Sequence, residues 1–391
     1  MLLTALTFLA VSLAQATVPY RRASPAPLIQ PRGANLVDNT YIVKIKDGAS
    51  TDSVDGFLSN RSISSVYTYY NALSGFTAVL TAEQLSSLRD HNDVEYVEQD
   101  AVVHLDRPKW ILSHETEQKN APWGLARISS LKPGSSTYIF DASSGAGTCS
   151  YVVDTGIDIT HPDFEGRASF LINTFDNETT DTSGHGTHVA GIIGSRTYGV
   201  AKNTTLLGVR VTDDDNGRIS AAIAGLDFIY SDAISRACPN GRIVNMSVGY
   251  PRSAALNAAA SRLVRAGIFV AAGAGNSGEI VSTSPQTEPS VCTVGATAKN
   301  DSFASFSNYG PLVSVLAPGV KISSTFLNHT VAVANGTSMA SPHVAGLAAY
   351  FLGMNMSATG LCQYLAATSI SGAIARVPEG TANKLVNNGH R

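Results

Sequence analysis

Hydrophobic and polar positions divide the chain into stretches of different rhythm. An apolar run from Leu2 to Leu13 is followed by Ala14-Gln15-Ala16, a small-x-small sequence. This pattern predicts a signal peptide over residues 1–16, cut before Thr17. Residues 18–39 are rich in Pro, Arg and Ser without useful periodicity, which predicts a linker or disordered leader. Alternation then begins at 41–46, where Tyr41, Val43 and Ile45 share one face of a strand. A second strand is expected at 75–80. Thr81-Ala82-Glu83-Gln84 has capping-box form and opens a helix with Leu85 and Leu88 inward. A further strand at 94–98 completes a small α+β module over about 41–105.

From about Asn120 the rhythm changes to short continuous apolar runs separated by Ala-rich helical patterns. Strands are predicted at 151–153, 206–211, 243–248, 268–272, 291–294 and 312–316, and helices at 220–230, 254–266 and 338–351. Strands without alternation, set between helices, predict a mostly parallel sheet covered by helices on both faces. The fold class is therefore α/β, preceded by the small module.

Composition narrows the function. The 391 residues carry a net charge of −3 and no Lys/Arg-rich block, so neither nucleic acid nor an anionic membrane is an expected partner. No run after the first reaches the roughly 18 apolar residues of a membrane helix. Cys149, Cys238, Cys292 and Cys362 make an even count in an exported chain, which favours two disulfides with three possible pairings. None has the close spacing of a zinc motif.

The candidate chemistry lies in three segments. Asp154 stands in Val153-Asp154-Thr155-Gly156, His185 in Gly184-His185-Gly186-Thr187-His188, and Ser338 in Gly336-Thr337-Ser338-Met339-Ala340. A serine hydroxyl needs a base to take its proton, and the base needs an orienting carboxylate. The order Asp, His, Ser is that of subtilisin-type serine proteases. Other readings fare worse. An aspartic protease needs a second Asp-Thr/Ser-Gly, which the chain lacks; His-Gly-Thr-His lacks the glutamate and spacing of a metalloprotease helix. A lipase-like elbow would need Gly at Ala340. His188 is read as structural, and Pro342 is placed in the first turn of the Ser338 helix.

These segments, with 120–128, Glu288-Pro289-Ser290-Val291-Cys292 and Phe306-Ser307-Asn308-Tyr309-Gly310, resemble the secreted fungal subtilases of the proteinase K type. The resemblance covers residues 117–391, and 41–105 resembles the subtilase propeptide that inhibits its own protease. It implies a 17–116 propeptide, self-cleavage near 113–117, bridges Cys149–Cys238 and Cys292–Cys362, and no reactive thiol, since Val189 replaces the family's free cysteine. It also implies that Ser247-Val248-Gly249 and the segment Gly217-Arg218-Ile219 flank an extended substrate as strands. Ala271, Ala272 and Gly273 would line a roomy primary pocket for large apolar or aromatic residues.

Two departures affect the chemistry. The family reads Ala-Ala-Gly-Asn where this chain reads Ala271-Ala272-Gly273-Ala274-Gly275-Asn276; Asn276 is expected as the oxyanion-hole amide, with Ala274 the alternative. The family's calcium site uses two carbonyls, here Pro289 and Val291, and an aspartate, here Ser314. A hard cation without that carboxylate binds weakly, so no cofactor is expected to be required. Of the Asn-x-Ser/Thr sites, Asn177, Asn203, Asn328 and Asn355 are the expected glycan acceptors. Together these observations predict a secreted, monomeric, broad-specificity endopeptidase made as a self-processing zymogen. Its expected partners are protein and peptide substrates and its own propeptide.

Overall fold

The computed structural model describes residues 24–31, 35–48, 53–103, 111–113, 120–213 and 216–389. The expected signal peptide and residues 114–117 of the expected cleavage region lie outside them. The N-terminal module comprises β1 (Leu28–Ile29), β2 (Asn35–Ile45), α1 (Ser53–Ser59), β3 (Ser65–Tyr69), β4 (Gly75–Val79), α2 (Ala82–Arg89) and β5 (Val94–Val103). Its sheet runs β1-β5-β2-β4-β3. The capping box forms as expected: Gln84 N–H donates to Thr81 Oγ1 at 3.2 Å, and Thr81 N–H donates to Gln84 Oε1 at 2.9 Å.

The leader differs from expectation. β1 pairs in parallel with β5, Ala26 is buried, and Val97 N–H donates to the Pro27 carbonyl at 2.9 Å. A two-residue edge strand, paired through its backbone and packed through Leu28, is too short to show a periodic signal.

After β6 (Ile111–Ser113) come α3 (Trp123–Ile128), β7 (Thr148–Asp154), β8 (Ala168–Asn173), α4 (His185–Gly194), β9 (Thr205–Arg210) and β10 (Gly217–Arg218). Next are α5 (Ile219–Ser235), β11 (Gly241–Met246), α6 (Ala254–Arg265), β12 (Phe269–Gly273), β13 (Cys292–Thr297) and β14 (Val315–Pro318). A hairpin follows, β15 (Ile322–Phe326) and β16 (Thr330–Ala334), then α7 (Thr337–Gly353), α8 (Leu361–Thr368), β17 (Ile370–Ser371) and β18 (Lys384–Leu385). The main sheet runs β17-β18-β14-β13-β12-β11-β7-β9-β8, parallel throughout except between β17 and β18.

Chain order reverses beside β7: β9 and β8 lie to one side, β11 to β14 to the other. Loops leaving the carboxyl ends of β7 and β11 therefore diverge and open a crevice. Side chains alternate between two cores, Val152 and Ala271 on one face, Tyr151, Val153 and Ala272 on the other.

Every residue of α7 is buried, so this helix has no polar face and lies within the core. Pro342 is its sixth residue, beyond the first turn. Its missing N–H leaves the Ser338 carbonyl without a helical partner, and Ser247 Oγ donates to that carbonyl at 2.9 Å instead. Asn245, fully buried, donates to Ser247 Oγ at 2.9 Å and accepts from Ser341 Oγ, tying α7 to β11. The bridges Cys149–Cys238 and Cys292–Cys362 are both formed.

The module docks on the large domain through β5. Val102 and Val103 pair antiparallel with Arg218 and Gly217 of β10. Alternate residues Glu98 and Asp100 reach two helix N-termini: Ala255 N–H donates to Glu98 Oε2 at 3.1 Å, and Ser220 Oγ to Asp100 Oδ2 at 2.6 Å. Both carboxylates thus meet the positive ends of helix dipoles. In the reverse direction, Asn71 and Ala72 N–H donate to Asp227 Oδ1 at 2.8 and 2.6 Å.

Candidate active site

Asp154 is the last residue of β7, and His185 is the first of α4. Gly186 lets α4 approach the Asp154 turn closely, because a Cβ there would lie 2.1 Å from the Gly156 carbonyl oxygen. In the resulting geometry His185 Nδ1 and Asp154 Oδ1 are 2.6 Å apart, both buried. Thr155 N–H also donates to Asp154 Oδ1, at 2.8 Å.

A residue that sequence reasoning missed joins these two loops. Buried Asp181 accepts from Thr155 Oγ1 (2.9 Å), Ser183 N–H (3.0 Å), Gly184 N–H (2.9 Å), Thr187 N–H (2.9 Å) and Thr187 Oγ1 (2.6 Å). Burial outweighs these donors and leaves its carboxyl pKa above the ordinary value. Five donors demand the ionised form, an acceptor at both oxygens. Arg210 braces the same turn from the other side, donating to the Thr155 carbonyl and, through two nitrogens, to Asp176. Its hydrogen bond holds the Asp176 carboxyl at about 2.

Ser338 lies in the first turn of α7, and its Oγ donates to the Ser247 carbonyl at 3.1 Å. Asp154 and Ser247 leave the neighbouring strands β7 and β11 at one sheet edge, where Val153 is paired with Met246. Asn276 Oδ1 accepts from Thr337 N–H (2.8 Å) and Thr337 Oγ1 (2.9 Å). With its oxygen so engaged, the amide nitrogen must face the other way. A point one Cβ bond from Gly336 is 3.4 Å from Asn276 Nδ2 and 3.5 Å from the Ser338 amide nitrogen. Asn276 Nδ2 and the Ser338 amide nitrogen therefore lie near each other, in residues that line one cavity. Asn308 fixes the Asn276 loop by accepting from Ser277 and Glu279 N–H at 3.0 and 3.1 Å. Ala274, the alternative, is buried among Val281, Phe303 and Leu316, away from this space.

Ser247, Val248, Gly249, Gly273, Gly275, Asn276 and Ser338 share a cavity of about 70 Å³. Ala271 and Ala272 were expected there, but their side chains are buried in the two cores of the sheet, so Gly273 alone of the three lines it. Ile219 likewise packs into the core as the first residue of α5, while Gly217 is paired with the module's β5. Ser314, at the expected calcium position, accepts from Thr293 N–H at 3.3 Å through its Oγ.

His188 is buried, 3.1 Å from the Ala332 carbonyl through Nε2, and burial pushes its pKa down to about 3. It is a neutral packing residue. Asn177, Asn203, Asn328 and Asn355 are all exposed, whereas Asn245 is inaccessible. Among the described residues no helix is long and apolar enough to cross a membrane.

Residues 145–384 match the subtilase family (peptidase S8), and residues 40–106 match peptidase inhibitor I9. The cuticle-degrading protease of Metarhizium anisopliae is 45% identical over 388 residues, covering 98% of each chain. The subtilisin-like serine protease AsES of Sarocladium strictum is 48% identical over 377 residues, 95% of each. Proteinase R of Parengyodontium album is 45% identical over 374 residues, 95% of this chain and 94% of its own. The crystal structure of a cold-adapted subtilisin-like serine proteinase superposes with a TM-score of 0.65 at 38% identity, over 69% of this chain and 99% of that one.

Proposed function

The chain belongs to the subtilase family and is a subtilisin-like serine endopeptidase; on that premise we propose that Asp154, His185 and Ser338 are its catalytic residues and that it is secreted as a self-processing zymogen. Ser338 Oγ leaves the Ser247 carbonyl and attacks the scissile carbonyl, giving its proton to His185. Asp154 keeps the His185 ring in the tautomer that accepts that proton and stabilises the imidazolium. The carbonyl oxygen, now negative, takes hydrogen bonds from Asn276 Nδ2 and Ser338 N–H. His185 returns the proton to the leaving amine, and water repeats the cycle on the acyl-enzyme.

The single observation that carries this reading is that the Asn276 amide nitrogen and the Ser338 N–H lie near each other at the cavity that both residues line. Substrate lies as an added strand along Gly217 and Ser247–Gly249, held by main-chain bonds with little regard to sequence, which gives broad specificity. The module's Val102 and Val103 occupy that strand position on β10, supporting inhibition by the chain's own propeptide.

Secretion is supported by the apolar N-terminal run and by two disulfides in a chain whose cysteines are all paired. Exposed Asn177, Asn203, Asn328 and Asn355 would then be open to glycosylation. A calcium ion would find the Pro289 and Val291 carbonyls without the aspartate, and no step depends on one. The test is an organofluorophosphonate probe on the secreted protein. Labelling of Ser338, lost in Asn276→Ala or His185→Ala to a large degree and accompanied by casein cleavage, is expected. An unlabelled Ser338 in folded protein would leave a peptide-binding homologue without catalysis.

A further inference from the structure

Gln286 is a buried side chain, only 1% exposed, that the catalytic account does not use and that is bonded to two residues lining the cavity beside Ser338. Its amide nitrogen donates to the Gly273 carbonyl at 2.8 Å and to the Val248 carbonyl at 3.2 Å. Those carbonyls belong to the two facing walls of the cavity, one from β12 and one from the segment after β11. Thr283 Oγ1 donates to Gln286 Oε1 at 3.1 Å, so the amide is satisfied at both ends. Such a network fixes the separation of the walls as well as filling the space between them.

A Cβ placed on Gly249 would already be 3.6 Å from Thr283 Oγ1 and 3.7 Å from Gln286 Nε2, ordinary van der Waals contact. The whole cavity, including the space beside Asn276 and Ser338, is about 70 Å³. An engineered apolar cavity that takes up benzene is roughly 150 Å³, about twice this size.

We propose that Gln286, with Thr283, is a specificity-determining residue: Gln286 braces the two walls of the primary pocket and Thr283 lines it, so that the enzyme cleaves after small or β-branched residues such as Ala, Val and Thr in preference to Phe or Tyr. This reverses the aromatic preference that the family resemblance implied. It rests on the peptidase reading above.

The test compares kcat/KM of the processed enzyme on one peptide series varied only in the residue before the cleaved bond: Ala, Val, Leu and Phe. Wild type is expected to favour Ala or Val over Phe by at least about tenfold, the scale of size discrimination in apolar pockets. Gln286→Ala should raise the Phe-to-Ala ratio by about tenfold or more. Thr283→Gly, which leaves the Gln286 bonds to both walls in place, should move it the same way if Gln286→Ala folds poorly. A general structural role would lower all four rates together without changing the ratio.

Calorimetric affinity of short peptides ending in an Ala or Phe carboxylate separates the two readings, since product binding needs no turnover. Discrimination in binding without any cleavage would count against the peptidase reading and for the pocket. A wild-type preference for Phe, or a ratio unmoved in both variants, overturns the inference.

Discussion

The inhibitor module and the catalytic domain bury themselves in contrasting ways. The catalytic domain closes two cores over a parallel sheet, drives an entirely buried helix α7 through one of them, and adds two disulfides. The module has no cysteine, two short helices, and one core of its own, built around Val43, Phe57, Phe76 and Val97. Its other apolar face, with Ile42, Tyr69, Ala72, Leu73 and Ala101, belongs to a core shared with α5 and α6. Part of what stabilises the module is therefore the surface of its enzyme. A part built to be removed need only be well ordered where it is bound, whereas the part that remains must hold its own loops.

The largest expected effect separates the two regions by cross-links. Replacing Cys149 and Cys238 by Ala should cost about 2–5 kcal/mol, seen as a lower unfolding midpoint of the processed enzyme. An unchanged midpoint would mean the buried sheet alone sustains the catalytic domain. Next in size, Asn276→Ala should lower kcat roughly 10²–10³-fold with little change in KM. Undiminished turnover would remove the amide from the reaction.

A smaller effect concerns the contact between the regions. Asp100→Ala deletes the acceptor for Ser220, a bond to a charged group of about 1.5–3 kcal/mol. The cleaved propeptide should then leave the enzyme some 10- to 100-fold faster, so activity appears sooner after secretion. If the lag is unaltered, strand pairing with β10 carries the inhibition without the helix-cap carboxylates.

A pH effect lies in the catalytic domain. Asp176 is lowered from 3.8 to about 2 by the Arg210 hydrogen bond. The unfolded carboxyl therefore takes up its proton first as pH falls. The stabilisation is complete above about pH 4 and lost as pH drops through about 2. Thermal unfolding of Asp176→Asn should accordingly trail wild type at pH 5 and converge with it near pH 2; a constant gap would contradict this. The smallest effect is expected from EDTA, which should leave the midpoint where it was because Ser314 supplies no carboxylate. A marked loss in chelator would reveal a stronger site.

How much of this could be read from the chain follows the same division. Helices with apolar periodicity were placed to within a few residues, as at α6 (Ala254–Arg265), and the buried strands announced themselves as apolar runs. Asp154, His185 and Ser338 stood out because small residues surround each of them. Short features left no pattern: β1 is two residues on an edge, and β14 begins at Val315, three residues later than expected, after a turn in which Val313 N–H donates to the Gly310 carbonyl.

Burial also misled. Ala271 and Ala272 match a pocket wall in sequence, but successive residues of a strand face opposite sides, and both faces of this sheet are core. Asp181 and Gln286 act through contacts that only the folded loops create. Glu98 and Asp100 could have been noticed, since two acids at alternate positions of a strand share a face and suit a positive surface.

The central claim, that one serine both cuts peptide bonds and frees the enzyme from its own module, is most directly tested by intact mass of the secreted product, wild type beside Ser338→Ala. Wild type is predicted to lose the N-terminal region up to the neighbourhood of residue 116, while Ser338→Ala remains uncut there. Equal processing of both, or retention of the module by both, would contradict the account.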